Sequence, residues 1–136
     1  MSAEHRRVLS ENPAQVYEHP LFTYVNDQRT LCVNGRTVHI TRRESEVMHA
    51  LSNVPNVAVS YQDFFRLVNG SDFVTDSDKQ NFKTLIYRLR NIFLDLNLDP
   101  ELIRTVHGLG YMLVDEKRHV DEIRHVAMTK LRLLLL

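Results

Sequence analysis

Lys79-Gln-Asn-Phe-Lys-Thr-Leu-Ile-Tyr-Arg-Leu-Arg-Asn-Ile-Phe-Leu-Asp-Leu96 is the stretch on which the fold turns. At about 100° per residue, Phe82, Leu85, Ile86, Leu89, Ile92, Phe93 and Leu96 share one arc of about 120°. The opposite arc carries Gln80, Lys83, Thr84, Tyr87, Arg88, Arg90 and Asn91. This separation predicts an amphipathic helix from near Asp76 or Ser77 to about Leu96, buried along its apolar stripe and ended by Asn97 and Asp99-Pro100. The polar face carries Lys79, Lys83, Arg88 and Arg90, and no acid lies between positions 79 and 94. Cations can pair phosphates while the central Gln80, Thr84, Tyr87 and Asn91 reach base edges, a division of labour that suits a helix in a major groove. The same composition fits the solvated face of a core helix, and this segment alone does not choose between the two.

Upstream, Thr41-Arg-Arg-Glu44 is a capping box, followed by Val47, Leu51 and Val54 on one face with Met48 beside them, and Pro55 ends that helix. Val57-Ala-Val59 reads as short and extended. Ser60-Tyr-Gln-Asp63 opens a second helix with Phe64, Leu67 and Val68 on its face, closed by Asn69-Gly70. Earlier still, Leu21–Val25, Arg29–Val33 and Arg36–Ile40 form a meander of short strands turned at Asn26-Asp27 and Asn34-Gly35. Downstream, Leu102–Val106 and Tyr111–Val114 read as a hairpin across His107-Gly-Leu-Gly110. Lys117–Leu136 reads as one more helix, with Val120, Ile123, Ala127, Leu131 and Leu134 at spacings of three and four. Residues 1–20 contain Pro13 and Pro20 and no period, and are expected to be a flexible arm. The class is α+β, in three parts: an arm over 1–20, a domain over 21–115 and a helical extension over 116–136.

Composition narrows the function. Seventeen Lys and Arg balance 17 Asp and Glu, so a broad, indiscriminate polyanion binder is excluded while a local basic surface is not. With 43% hydrophobic and 25% charged residues the chain is an ordinary folded domain. The lone Cys32 forms no internal disulfide and fits a packed strand thiol. Residues 1–20 lack the apolar run of a signal peptide, and the terminal Leu133–Leu136 is far too short to span a bilayer, so a soluble, cytoplasmic protein is expected. His5, His19, His39, His49, His107, His119 and His125 include no pair at metal-ligand spacing, and no metal or cofactor is expected. No nucleophile with a base and no paired carboxylates are seen, and Gly108-Leu-Gly110 lacks phosphate-loop spacing. The sequence does not read as an enzyme.

Tyr87-Arg-Leu-Arg90 followed by Thr105-Val-His-Gly-Leu-Gly-Tyr111, with Ile40–Leu51 and Ser60–Gly70 ahead of them, resembles the C-terminal winged-helix DNA-binding domain of the OmpR/PhoB response-regulator family. The resemblance covers roughly residues 21–115 and two motifs in the right order. It implies a winged helix-turn-helix: a four-stranded N-terminal antiparallel sheet, a three-helix core and a C-terminal β-hairpin wing. The third helix would lie in the major groove and hairpin 102–114 at the minor groove. By position, Lys79, Arg88 and Arg90 are then expected mainly on phosphates. Gln80, Lys83, Thr84 and Tyr87 are expected on bases, Asn91 facing DNA, and Arg104, Thr105 and His107 at the wing. In that family the loop before the third helix often contacts RNA polymerase, here Gly70, Ser71, Asp72, Phe73, Val74 and Thr75.

The chain departs from the family pattern at several places. His107 stands where the wing usually has Arg, Gln80 replaces an Arg, and Phe82 and Lys83 replace Val and Asp. Only 20 residues precede Leu21, where response regulators carry a receiver domain, so the chain reads as an orphan regulator. It is expected to bind double-stranded DNA as a homodimer or as tandem copies, in the nucleoid and away from membranes. A winged helix that binds a partner protein through its third helix is the alternative. The tail is read as packing on its own domain or as self-association.

Overall fold

The computed structural model describes residues 16–70 and 74–115. Four short strands form an antiparallel sheet in chain order: β1 (Val16–Glu18), β2 (Thr23–Val25), β3 (Thr30–Val33) and β4 (Arg36–His39). Tyr17 pairs with Tyr24, Tyr24 with Leu31 and Leu31 with Val38. The β3–β4 turn is the expected one: Asn34 and Gly35 take φ of 49° and 83°, the positive pair that a two-residue hairpin needs.

The sheet has the four strands that the family resemblance implies, one more than the three read from the residues, and the expected arm is corrected where it meets it. Residues 16–18 pair along β2, and His19 is buried. Three residues are too few to display a period, and their anchors, Val114 and Asp115, lie almost 100 positions away. The rest of the arm, residues 1–15, and the extension over 116–136 lie outside the described residues.

Three helices follow, each set by its cap. In α1 (Arg42–Asn53), the Thr41 hydroxyl accepts the Glu44 N–H at 3.2 Å and the Glu44 carboxylate accepts the Thr41 N–H at 2.8 Å. The Ser60 hydroxyl caps α2 (Tyr61–Asn69) on the Asp63 N–H at 3.0 Å. Thr75 and Asp78 form a second reciprocal box at the start of α3 (Asp76–Asp95), with both bonds at 3.0 Å. One turn of 3-10 helix, Pro100–Leu102, leads into the hairpin of β5 (Ile103–Val106) and β6 (Gly110–Leu113). Val59 joins this hairpin as a third chain: it donates to the Tyr111 carbonyl at 2.7 Å and accepts from its N–H at 3.1 Å.

The core lies where α3 crosses the other elements. Phe82, Leu85, Ile86, Leu89, Phe93 and Leu96 are buried as their arc predicts, while Ile92 is half-buried. They pack with Tyr24 and Leu31 from the sheet, Met48 and Leu51 from α1, and Leu102, Ile103 and Leu113 near the hairpin. On α2 the buried face is rotated from expectation. Phe64 and Phe65 are buried and Val68 is partly so, whereas Leu67 is 56% exposed. Two adjacent aromatic rings offer more area than one ring and a leucine, and they set the rotation of the helix. Among the described residues no helix is long and apolar enough to cross a membrane.

Candidate nucleic-acid interface

The stripe that buries α3 leaves its other face in solvent. Lys79, Gln80, Lys83, Tyr87, Arg88 and Asn91 are exposed, Tyr87 at 66%, and Thr84 and Arg90 are half-buried. The neighbouring acids are drawn to the helix start, where Asp78 is engaged in the cap and Asp76 and Asp78 both favour the positive end of the helix dipole. Arg36 Nη1 donates to the Asp95 carbonyl at 3.1 Å, satisfying a carbonyl at the other end of α3. The middle of the helix therefore presents cations and neutral polar groups without an intervening acid.

Two expected contacts have other duties. Thr84 Oγ1 donates to the Gln80 carbonyl at 3.0 Å, so its hydroxyl proton is used within the helix and only acceptor capacity remains for a base. Arg90 does not point out as a phosphate contact. Its Nε and Nη2 donate to the Ile103 carbonyl at 3.0 and 2.6 Å, and Nη2 also donates to Thr105 Oγ1 at 2.9 Å. The guanidinium lies 5.6 Å from the centroid of the Tyr111 ring. A planar fork on a strand carbonyl with an aromatic face beside it fixes the hairpin against α3. The sequence pattern could not show this, because Arg90 falls in the polar arc and its partners come 13 and 15 residues later. Replacing Arg90 with methionine is expected to lower stability by about 1–3 kcal/mol in urea unfolding, the scale of charge-assisted hydrogen bonds. Unchanged stability would return the guanidinium to solvent.

The hairpin stands beside the helix across a cleft of about 470 Å³ lined by Tyr61, Lys83, Thr105, His107 and Tyr111. Thr105 and His107 are exposed on it and Arg104 is half-buried. Burial pushes the Tyr111 hydroxyl above its ordinary range, with nearby Tyr61 adding to the shift, so it remains a neutral donor. Tyr61 was not among the expected site residues. Its signal was its place directly after the Ser60 cap, which puts it at the helix start facing the wing. The Tyr111 ring is 5.4 Å from Phe82 and 6.4 Å from Tyr61, so one aromatic group supports the cleft from below.

Of the loop expected to contact a polymerase, Ser71, Asp72 and Phe73 lie outside the described residues. Gly70 closes α2, the Thr75 hydroxyl is engaged in capping α3, and Val74 packs against the core.

Comparison with known proteins agrees with this architecture. The family described as "Transcriptional regulatory protein, C terminal" matches residues 35–113. The nisin biosynthesis regulatory protein NisR of Lactococcus lactis is 30% identical over 89 residues, covering 65% of this chain and 37% of that protein. The transcriptional regulatory protein AfsQ1 of Streptomyces coelicolor is 37% identical over 84 residues, covering 62% and 36%. The chain thus spans little more than a third of the length of these relatives. Among solved structures, the C-terminal effector domain of BfmR from Acinetobacter baumannii superposes with a TM-score of 0.57 at 27% identity, covering 76% of this chain and 93% of that one. The Klebsiella pneumoniae RstA DNA-binding domain, solved with its RstA box, gives 0.63 at 19% identity, covering 75% and 99%. That second likeness speaks to fold alone.

Proposed function

The chain belongs to the transcriptional regulatory protein C-terminal family, the OmpR/PhoB-type winged helices, and on that premise we propose that it is a sequence-specific, DNA-binding transcriptional regulator. The observation that carries the reading is the exposed polar face of α3, free of acids between positions 79 and 94, standing beside the hairpin across one cleft. In this reading α3 enters the major groove, with Gln80, Lys83 and Tyr87 at base edges and Lys79 and Arg88 on flanking phosphates. An amide such as Gln80 can bond an adenine edge in two places. The hairpin lies at the adjacent minor groove, with Thr105 and His107 toward the backbone. Arg90 holds the two reading elements at a constant separation, which sets the spacing of the two grooves read.

The role is non-enzymatic and cytoplasmic, at the nucleoid. Binding as a dimer or as tandem copies on repeated half-sites suits a single short reading helix. Contact with RNA polymerase through the α2–α3 connection is part of the same proposal.

Selection of bound fragments from genomic DNA, followed by a salt series on the selected site, tests it. Affinity should fall linearly with log salt concentration. Arg88→Ala should weaken selected and unrelated DNA alike and reduce the slope by about one. A chain that enriches no sequence and retains no DNA at low salt would refute the proposal.

A further inference from the structure

His19, one position beyond β1, ties the N-terminal strand to the far end of the hairpin. Its ring is 7% exposed and stacks on Phe22, with centroids 4.3 Å apart and planes at 12°. Nδ1 accepts the N–H of Leu21 at 3.0 Å, and Nε2 lies 2.7 Å from the carbonyl oxygen of Val114. A backbone N–H only donates, so Nδ1 carries no hydrogen. A carbonyl only accepts, so Nε2 carries one. The two partners together admit one form of the ring, the neutral Nε2–H tautomer.

A second contact lies alongside, where the Tyr17 hydroxyl donates to Asp115 Oδ2. Burial first, and then Asp115, push the Tyr17 hydroxyl well above its ordinary value, so it stays a donor. The Asp115 N–H donates in turn to Asn56 Oδ1 at 2.8 Å, which ties this corner to the segment after α1. The titratable groups facing the imidazole are thus Tyr17 from β1 and Asp115 after β6. Its other partners, Leu21, Phe22 and Val114, do not titrate.

We propose that protonation of His19 releases β1 from the chain segment leaving the hairpin, so that the N-terminal strand is an acid-sensitive latch. The second proton must go to Nδ1, where it meets the Leu21 N–H head-on. Two donors then face each other and the Leu21 bond is lost, while the Nε2–H bond to Val114 persists. What drives release is the charge left in a buried site, relieved only when the ring leaves it. Burial lowers the His19 pKa from its ordinary 6.5, against the weaker opposing pulls of the Val114 carbonyl and Asp115. The sign follows. A histidine whose folded pKa is depressed lends its stability fully above the unfolded value. That contribution is lost as pH falls from there through the folded pKa. The latch is closed at neutral pH and loosens in acid. The inference is independent of the DNA-binding reading.

Amide hydrogen exchange on the full chain between pH 7.5 and 5, followed by NMR, tests it. After correction for intrinsic exchange chemistry, protection at Val16–Glu18 and Leu21 should fall by up to about tenfold per pH unit below 6.5. Amides between β3 and β4 should hold. His19→Gln keeps an N–H donor and an oxygen acceptor but does not titrate, and should flatten the dependence. Should that variant not fold, the wild-type His19 ring resonance and the Leu21 amide must titrate together. Constant β1 protection down to pH 5, a pH dependence that survives in H19Q, or a Leu21 amide that moves at a different pH from the ring would each overturn the latch.

Discussion

Replacing Phe82 with alanine is expected to remove about 3–5 kcal/mol of stability, the cost of truncating a buried ring whose surroundings cannot fully collapse. Phe82 is wholly buried and is the hub of the aromatic group. It stacks on Phe64 at 4.5 Å and 12° and meets Tyr61, Phe65 and Tyr111 edge-on at 5.3, 6.3 and 5.4 Å. Four rings from α2 and the hairpin therefore line the space that alanine would leave, and rings move less readily into a void than aliphatic chains do. Domains of this size have about 5–15 kcal/mol in total, so the variant should lose a large fraction of its stability at 25 °C. Urea unfolding followed by circular dichroism measures the loss, and Phe82→Leu, which keeps most of the volume, should lose a smaller part of it. A loss below about 1 kcal/mol for the alanine variant would mean that the ring group is not the core of the interface. The effect reaches the candidate site because Lys83 and Gln80 are carried by the same turns of α3. The ring fixes the rotation at which they face outward.

The same helix shows how much was legible beforehand. Its length, its buried stripe and its exposed residues follow from a period of 3.6 sustained over five turns, a signal that no local alternative imitates. The capping box at Thr41–Glu44, the Ser60 cap on Asp63 and the Asn34-Gly35 turn are equally local, since every partner lies within three residues. The misreadings share the opposite property. β1 is held by residues that follow the hairpin, Leu67 is exposed because the helix turns Phe65 onto Phe82 of α3 instead, and Arg90 is occupied by a strand that starts 13 residues later. In each case a contact distant in sequence decides between two placements that local pattern leaves equivalent. The candidate site was thus legible as a face and not as a set of roles. Which side chains point outward is periodic information, whereas which of them are already bonded is tertiary.

Charge follows the same logic. A sequence of zero net charge offers no broad attraction to a polyanion, so on the proposed reading α3 would have to supply both encounter and selection. With Arg90 engaged by the hairpin, the exposed cations of α3 are Lys79, Lys83 and Arg88, of which the proposal puts Lys79 and Arg88 on phosphates. On the proposed reading, a short cationic stripe gives weak non-specific affinity, and discrimination would rest on Gln80, Lys83, Tyr87 and the position of the wing.

That position depends on Gly110, and Gly110→Ala is expected to be as damaging as the loss of Phe82. A Cβ at this residue would lie 2.0 Å from the Val59 carbonyl oxygen, 2.7 Å from its carbon and 2.9 Å from Ser60 Cα. All three are backbone atoms, so no side chain can swing away to make room. Gly110 also has φ of +157°, where an L-residue is strained at a cost of about 1–3 kcal/mol. To admit the methyl group, Val59 must move off β6, breaking the two bonds to Tyr111, each contributing about 0.5–1.5 kcal/mol. Ser60 would move with it, and Ser60 caps α2. The combined loss should reach about 3 kcal/mol or more by these terms. Gly108→Ala is the control: its φ is +78° but nothing lies within 4 Å of the added carbon, so only the left-handed penalty of about 1–2 kcal/mol applies. Urea unfolding of the two variants separates the terms. Equal losses would show that Val59 yields freely, and the wing would then be a flexible ribbon. A large excess for Gly110→Ala would show that the hairpin is bolted to the segment between α1 and α2, so that α3 and the hairpin form one rigid surface, as the proposed reading requires.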